Sequence, residues 1–231
     1  MLVQPSVLDT DNSYLLAALR QAPEQLRGVV VLERDVSRAL LNDMAQLGVI
    51  GVRLNLMGKA LPNLRDAAWK DFFGHIAELG WHVELHRQVE DVPGLIRQLI
   101  PFGIKLVIDH FGRPDARLGI DQLGFPEMLE LGLNAQIWMK VSGIYRLEGT
   151  PQQNLEFSRT ALPLLEQSFG LRRLVWASDW PHTQHEGRFG FGTVVEQLKA
   201  LDCSPQLLRS LLVDAPQALF GFACGRSQAK V

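Results

Sequence analysis

Short apolar, β-branched runs recur along this chain, and each is followed by a longer stretch with helical spacing. The runs fall at Leu2–Val3, Val29–Leu32, Val49–Leu54, His82–Leu85, Lys105–Ile108, Ile137–Val141 and Leu174–Ala177. Between them the apolar spacing predicts helices over Ser13–Gln21, Val36–Leu47, Leu64–Leu79, Val92–Ile100, Leu155–Phe169 and Thr193–Ala200. Asp11 or Asn12 can cap the first helix, Gly48 and Gly80 can end the second and third, and Pro93 suits a first helical turn. Strands alternating with helices need crossover connections, and crossovers make the sheet parallel. The pattern predicts an α/β fold.

Two parallel architectures are open to such a chain. An open nucleotide-binding sheet would place a glycine-rich turn after its first strand. Here Leu2–Val3 runs into Gln4-Pro5-Ser6-Val7, and Gly190-Phe191-Gly192 follows no strand. A closed barrel fits better, because polar residues end nearly every strand: Ser6, Glu33, Arg53 with Asn55, His86, Asp109 with His110, Ser142, and Ser178 with Asp179. In a barrel these ends converge on one mouth, where the active sites of that fold are built. No linker rich in Pro, Gly or Ser divides residues 1–231, so a single domain is expected.

Composition narrows the partners. The 231 residues are 47% hydrophobic and 21% charged, with a formal net charge of −2. That balance gives no electrostatic attraction to nucleic acid or to an anionic membrane. No apolar stretch has the length of a bilayer span, and Met1-Leu2-Val3-Gln4-Pro5-Ser6 lacks the pattern of a secretory leader. The two cysteines, Cys203 and Cys224, read as free thiols, and a cytoplasmic protein is expected.

The mouth carries the candidate chemistry. His86, His110 and Asp179 end three different strands and offer two imidazoles and a carboxylate. That set can hold a divalent metal. It can also work without one, a carboxylate near His110 acting as general base on water while imidazolium or guanidinium groups steady the developing oxyanion. Arg53 and Arg146 at the same mouth suit the carboxylates of a small dianionic substrate, since guanidinium binds carboxylate in a bidentate way. Ser6 is a candidate hydrogen-bonding partner for the substrate. His182 follows Asp179 closely enough to join it, whereas His75 and His185 read as structural.

With these residues in view the chain resembles the amidohydrolase-related hydrolases, and looks most like their branch of 2-pyrone-4,6-dicarboxylate lactonase-like, sugar-lactone and muconolactone hydrolases. The matching segments are Val3-Gln4-Pro5-Ser6 with Thr10-Asp11-Asn12, Gly51-Val52-Arg53-Leu54-Asn55, Trp81-His82-Val83-Glu84-Leu85-His86 and Ile108-Asp109-His110-Phe111-Gly112-Arg113-Pro114. They continue through Lys140-Val141-Ser142-Gly143 with Arg146, Ser178-Asp179-Trp180-Pro181-His182, Asp214-Ala215-Pro216 and Leu219-Phe220-Gly221-Phe222. The resemblance implies a (β/α)8 TIM barrel of the metal-dependent hydrolase type. It also implies hydrolysis of a carboxylated lactone or similar ester, with Asp179 and His110 catalytic and Ser6, Arg53, Arg146 and His182 binding substrate. No cofactor, or one divalent ion with zinc foremost, is implied; a metal would fall to His86, His110 and Asp179.

The sequence departs from the family in one respect. It contains no His-x-His motif, with which the family's first strand ends, so a barrel lacking that strand is expected. Seven staves would leave Leu2–Val3 and Leu174–Ala177 as edges, through which a homo-oligomer could form. Two other functions stay open: a metal-dependent amidohydrolase or decarboxylase of the same superfamily, and an inactive carboxylate-binding barrel.

Overall fold

The structure, a computed structural model, describes residues 1–222. Seven strands form one parallel sheet in the order of the chain: β1 (Leu2–Val3), β2 (Gly28–Val30), β3 (Val49–Asn55), β4 (His82–His86), β5 (Leu106–Ile108), β6 (Ile137–Ser142) and β7 (Leu174–Ala177). Each strand is hydrogen-bonded to its sequence neighbours, and β1 and β7 are not paired with each other. This is the α/β barrel expected, with a gap between its first and last staves. The crossover helices are α1 (Ser13–Gln21), α2 (Arg38–Gln46), α3 (Ala67–Glu78), α4 (Val92–Leu99), α5 (Phe125–Leu131) and α6 (Pro151–Phe169). After β7 come α7 (Phe191–Ala200), α8 (Pro205–Arg209), one π-type turn over Ser210–Asp214, and α9 (Ala215–Phe220).

Local signals start these helices. Ser37 caps α2 by accepting from Leu40 N, Asp66 caps α3 by accepting from Trp69 N, and Thr150 with Gln153 forms a reciprocal capping box on α6. At α1 the cap is shared: Asn12 holds the cap position, while Asp11 Oδ1 accepts from Ser13 N at 3.1 Å. Gly48 and Gly80 follow α2 and α3 with φ of +96° and +67°, the conformation a helix stop requires.

Two apolar layers hold the barrel. The larger packs the outward faces of the strands against the helices, around Leu41, Phe72, Phe73, Leu85, Ile96, Leu106, Met139 and Leu165. The smaller fills the lumen floor, where Val107, Trp138 and Val175 meet Ala215, Leu219 and Phe220 of α9. Met1, Ile50 and Phe222 pack around it. Phe220 reaches the His82 ring, with centroids 5.8 Å apart, and Arg27 lies over Phe222. Beside the gap α9, an element that the apolar spacing did not reveal, packs against Val175 of β7 and against Met1. Among the described residues no helix is long and apolar enough to cross a membrane. Cys203 is a half-buried free thiol, and Cys224 lies outside the described residues.

Candidate active site

Strand alternation builds the site in layers. Arg53 stands opposite Glu84, and Asn55 opposite His86, in the register of β3 with β4. Trp138, Lys140 and Ser142 alternate on β6 in the same way, so their side chains share one face. Above the apolar floor lies a layer of charge. Arg53 donates from Nε and Nη2 to Asp109 Oδ2 at 2.9 and 2.7 Å. Lys140 Nζ bridges Asp109 Oδ1 at 2.8 Å and Glu84 Oε2 at 2.6 Å, and His82 Nε2 stands 3.5 Å from Glu84 Oε1. All five side chains are buried.

Burial alone would push Glu84 and Asp109 up and Arg53 and Lys140 down. The neighbours win. Burial raises Asp109, but Lys140 and then Arg53 hold it well below the usual carboxylate range. Burial lowers Lys140, yet Asp109 and Glu84 hold it above its ordinary value. The layer is charged and internally neutral.

The next layer carries the expected catalytic residues. His86 Nδ1 pairs with Asn55 Oδ1 at 3.0 Å, and Asn55 Nδ2 donates to Ser6 Oγ at 3.0 Å. His110 Nδ1 pairs with Ser142 Oγ at 2.9 Å, and the two imidazoles meet edge-on with centroids 5.2 Å apart. Both Nε2 atoms are buried and unpartnered. Burial, with help from Arg146 and Arg53, lowers His110 to about 4 against the pull of Asp179 and Asp109. Burial, Arg53 and His110 lower His86 as well, so both rings are neutral at physiological pH.

Asp179 stands two residues beyond β7. Its Oδ2 accepts from Tyr145 Oη at 2.6 Å and from Arg146 Nε, while Oδ1 faces His110 Nε2 at 3.6 Å. Burial raises Asp179, and His110 and Arg146 lower it to a net value below the ordinary carboxylate range. Because His110 is neutral, Arg146 supplies the charge that keeps Asp179 ionised at pH 7. Burial, then the charge of Asp179 and the same hydrogen bond, raise Tyr145, which stays protonated and donates.

Backbone strain aims these groups. His110, Phe111 and Arg113 have φ of 52°, 58° and 56°, and Asp179 has φ of 56°. A left-handed non-glycine residue costs about 1 kcal/mol or more, and such residues persist where the surroundings over-determine them. Gly143 makes room: at φ +61° any Cβ would sit 2.6 Å from His110 Nδ1.

The polar layer opens into a cavity of about 540 Å³ lined by Ser6, Arg53, Asn55, His86, Asp109, His110, Arg113, Lys140, Arg146 and Asp179. Its other wall is apolar, with Met1, Val3, Val175 and Phe220. His182 does not line this cavity; it packs edge-on against Tyr145 at 5.7 Å. Glu33, expected at the mouth, is exposed and does not line the cavity, because β2 ends at Val30 and the chain has left the sheet before it reaches Glu33. Arg53 and Arg146 both face the cavity while bound to carboxylates of the protein. Lys140, Tyr145 and Arg113 were not singled out in the sequence. A lysine amid Ile137-Trp138-Met139, on the face of Ser142, was the available signal for the first.

A divalent ion does not fit this arrangement. Among the described residues no three His, Cys, Asp or Glu side chains converge as a metal-holding group. The carboxylates Glu84, Asp109 and Asp179 are already matched by Lys140, Arg53 and Arg146. An added double positive charge would have to displace one of those cations.

Comparison with known proteins supplies the family and the fold. The profile of a family described as Amidohydrolase matches residues 2–222. A solved structure of a candidate 2-pyrone-4,6-dicarboxylic acid hydrolase from Pseudomonas putida is 59% identical. It superposes with a TM-score of 0.93, covering 96% of this chain and 81% of that one. The 2-pyrone-4,6-dicarboxylate hydrolase of Comamonas testosteroni is 29% identical over 95% of this chain and 75% of its own length. The 4-sulfomuconolactone hydrolase of Rhizobium radiobacter is 27% identical over 95% of this chain and 74% of its own.

Proposed function

This chain belongs to the amidohydrolase family, and from that premise we infer that it opens the lactone ring of a small carboxylated substrate. The observation that carries the reading is the division of labour on Asp179. One oxygen is held by Tyr145 and Arg146, and the other is left beside His110 at the cavity wall.

Oδ1 of Asp179 is placed to take a proton from water as the water oxygen attacks the lactone carbonyl. With its proton on Nε2, neutral His110 accepts from the Ser142 hydroxyl and donates toward the oxyanion that forms. Collapse of the intermediate breaks the ring C–O bond, and the departing oxygen takes up the proton. Arg53, Arg113 and Arg146 line the cavity, and although each is paired with a carboxylate of the protein, their remaining N–H donors are where substrate carboxylates would be held, with Ser6 adding a hydroxyl. No step passes through a metal.

The test is ring opening of 2-pyrone-4,6-dicarboxylate and 4-sulfomuconolactone, the compounds named for the relatives, followed by loss of lactone absorbance. The near-isosteric Asp179→Asn should lower turnover about 10³-fold with the fold intact. Wild-type protein that opens neither lactone, or an Asp179→Asn variant that keeps its rate, refutes the reading.

A further inference from the structure

A second cavity of about 520 Å³ adjoins the first, and the two share Arg113, Arg146 and Gln184. Its far wall is the segment carrying Arg188 and Phe189, with Gln197 of α7 behind. Phe189 stacks on Tyr145, centroids 4.7 Å apart, so this wall leans on the same tyrosine that holds Asp179.

The lining is unbalanced in charge. Arg113, Arg146 and Arg188 face it, against the single carboxylate of Glu148. Glu148 pairs with Arg113 at 3.0 Å, and Arg146 pairs with Asp179. The lining also holds an unanswered acceptor, since Gln197 Oε1 is buried with no hydrogen-bond partner. A buried amide oxygen without a donor is costly, and its pairing by a ligand is favourable. The cavity thus calls for a molecule that brings both a carboxylate and a donor.

Ring opening makes such a molecule. Water adds across the acyl C–O bond; the carbonyl carbon becomes a carboxylate, the ring oxygen becomes a hydroxyl, and one proton leaves to solvent. The product therefore carries one more negative charge and one more donor than the lactone. We propose that the second cavity is a product site, which draws the ring-opened acid away from Asp179 through Arg188 and Gln197. This rests on the lactonase reading above.

The test separates product from substrate. Arg188→Gln should raise the inhibition constant of the ring-opened product about tenfold, and Gln197→Leu about threefold. Both variants should keep the KM and kcat of the lactone within about twofold of wild type. An unchanged inhibition constant, or a KM that rises in step with it, overturns the proposal. Calorimetric titration with tricarballylate gives a readout without turnover. Loss of affinity in Arg188→Gln is expected even if neither lactone is opened, in which case the lactonase reading alone has failed. Equal affinity in wild type and variant overturns the product site itself.

Discussion

The two sides of this barrel treat charge in opposite ways. On the closed side, β3 to β6 are paired along both edges, and every residue of β4 is buried. There Arg53, Asp109, Lys140, Glu84 and His82 meet one another, and few of their polar atoms are left for a visitor. On the side of the gap, only Leu174 and Val175 of β7 are buried, and Asp179 beyond them is half-buried. Its carboxylate commits one oxygen and spares the other. Where the wall is complete, charge is cancelled internally because water is absent to solvate it. Where the wall opens, a carboxylate can stay ionised and still have an oxygen free to react. The closed side holds the site's shape, and the open side does its chemistry.

The sharpest way to break this contrast is on the closed side. Lys140→Met strands two buried carboxylates with one cation, and should cost about 3–5 kcal/mol of stability. The double variant Lys140→Met with Glu84→Gln restores neutrality and should recover at least half of that loss. Chemical denaturation of both proteins decides it; a single variant as stable as wild type would show that the charges are not mutually dependent.

Acid probes both sides together. His86 and His110 titrate below the ordinary histidine value in the folded protein, His110 at about 4. The unfolded chain binds those protons first. Stability is therefore fully present above about pH 6.5 and is lost as the pH falls toward 4, by roughly 3 kcal/mol for His110 alone. His110→Gln should flatten part of that slope, and a stability that stays level between pH 6.5 and 4.5 would contradict buried neutral rings.

The smallest effect lies at the gap. Arg146 is the cation that keeps Asp179 ionised against burial, so Arg146→Met should raise the Asp179 pKa. The acid limb of kcat/KM should then move up by about one pH unit, a cost of about 1.4 kcal/mol. A limb that stays in place while KM rises would leave Arg146 a substrate-binding group alone.

Much of the architecture was legible because strands packed between helices and lumen write short apolar runs. The runs at Leu2–Val3 and Leu174–Ala177 and the helix Ser13–Gln21 match the structure residue for residue. The start of α6 at Pro151 was readable in the Thr150–Gln153 capping box but fell outside the apolar spacing. Helices α5, α8 and α9 were missed because each is at most seven residues long, too short for a helical period to show. In the site, Asp179, His110, His86, Arg53, Arg146 and Ser6 were visible at strand ends and share one cavity wall. Lys140 was not, since a lysine inside an apolar strand reads as a surface position until its partners Glu84 on β4 and Asp109 just past β5 are known. Tyr145 lies in a turn where no periodicity points.

The placement of Phe220 and Phe222 also has a consequence for the order of synthesis. The side chains that floor the lumen between β7 and β1 belong to residues 215–222, which leave the ribosome after every strand has done so. Until then the apolar faces of Val107, Trp138 and Val175 have water where α9 later stands. The nascent chain thus carries an almost finished sheet with an unsealed floor, and this is the interval in which chaperones or a neighbouring copy can reach it.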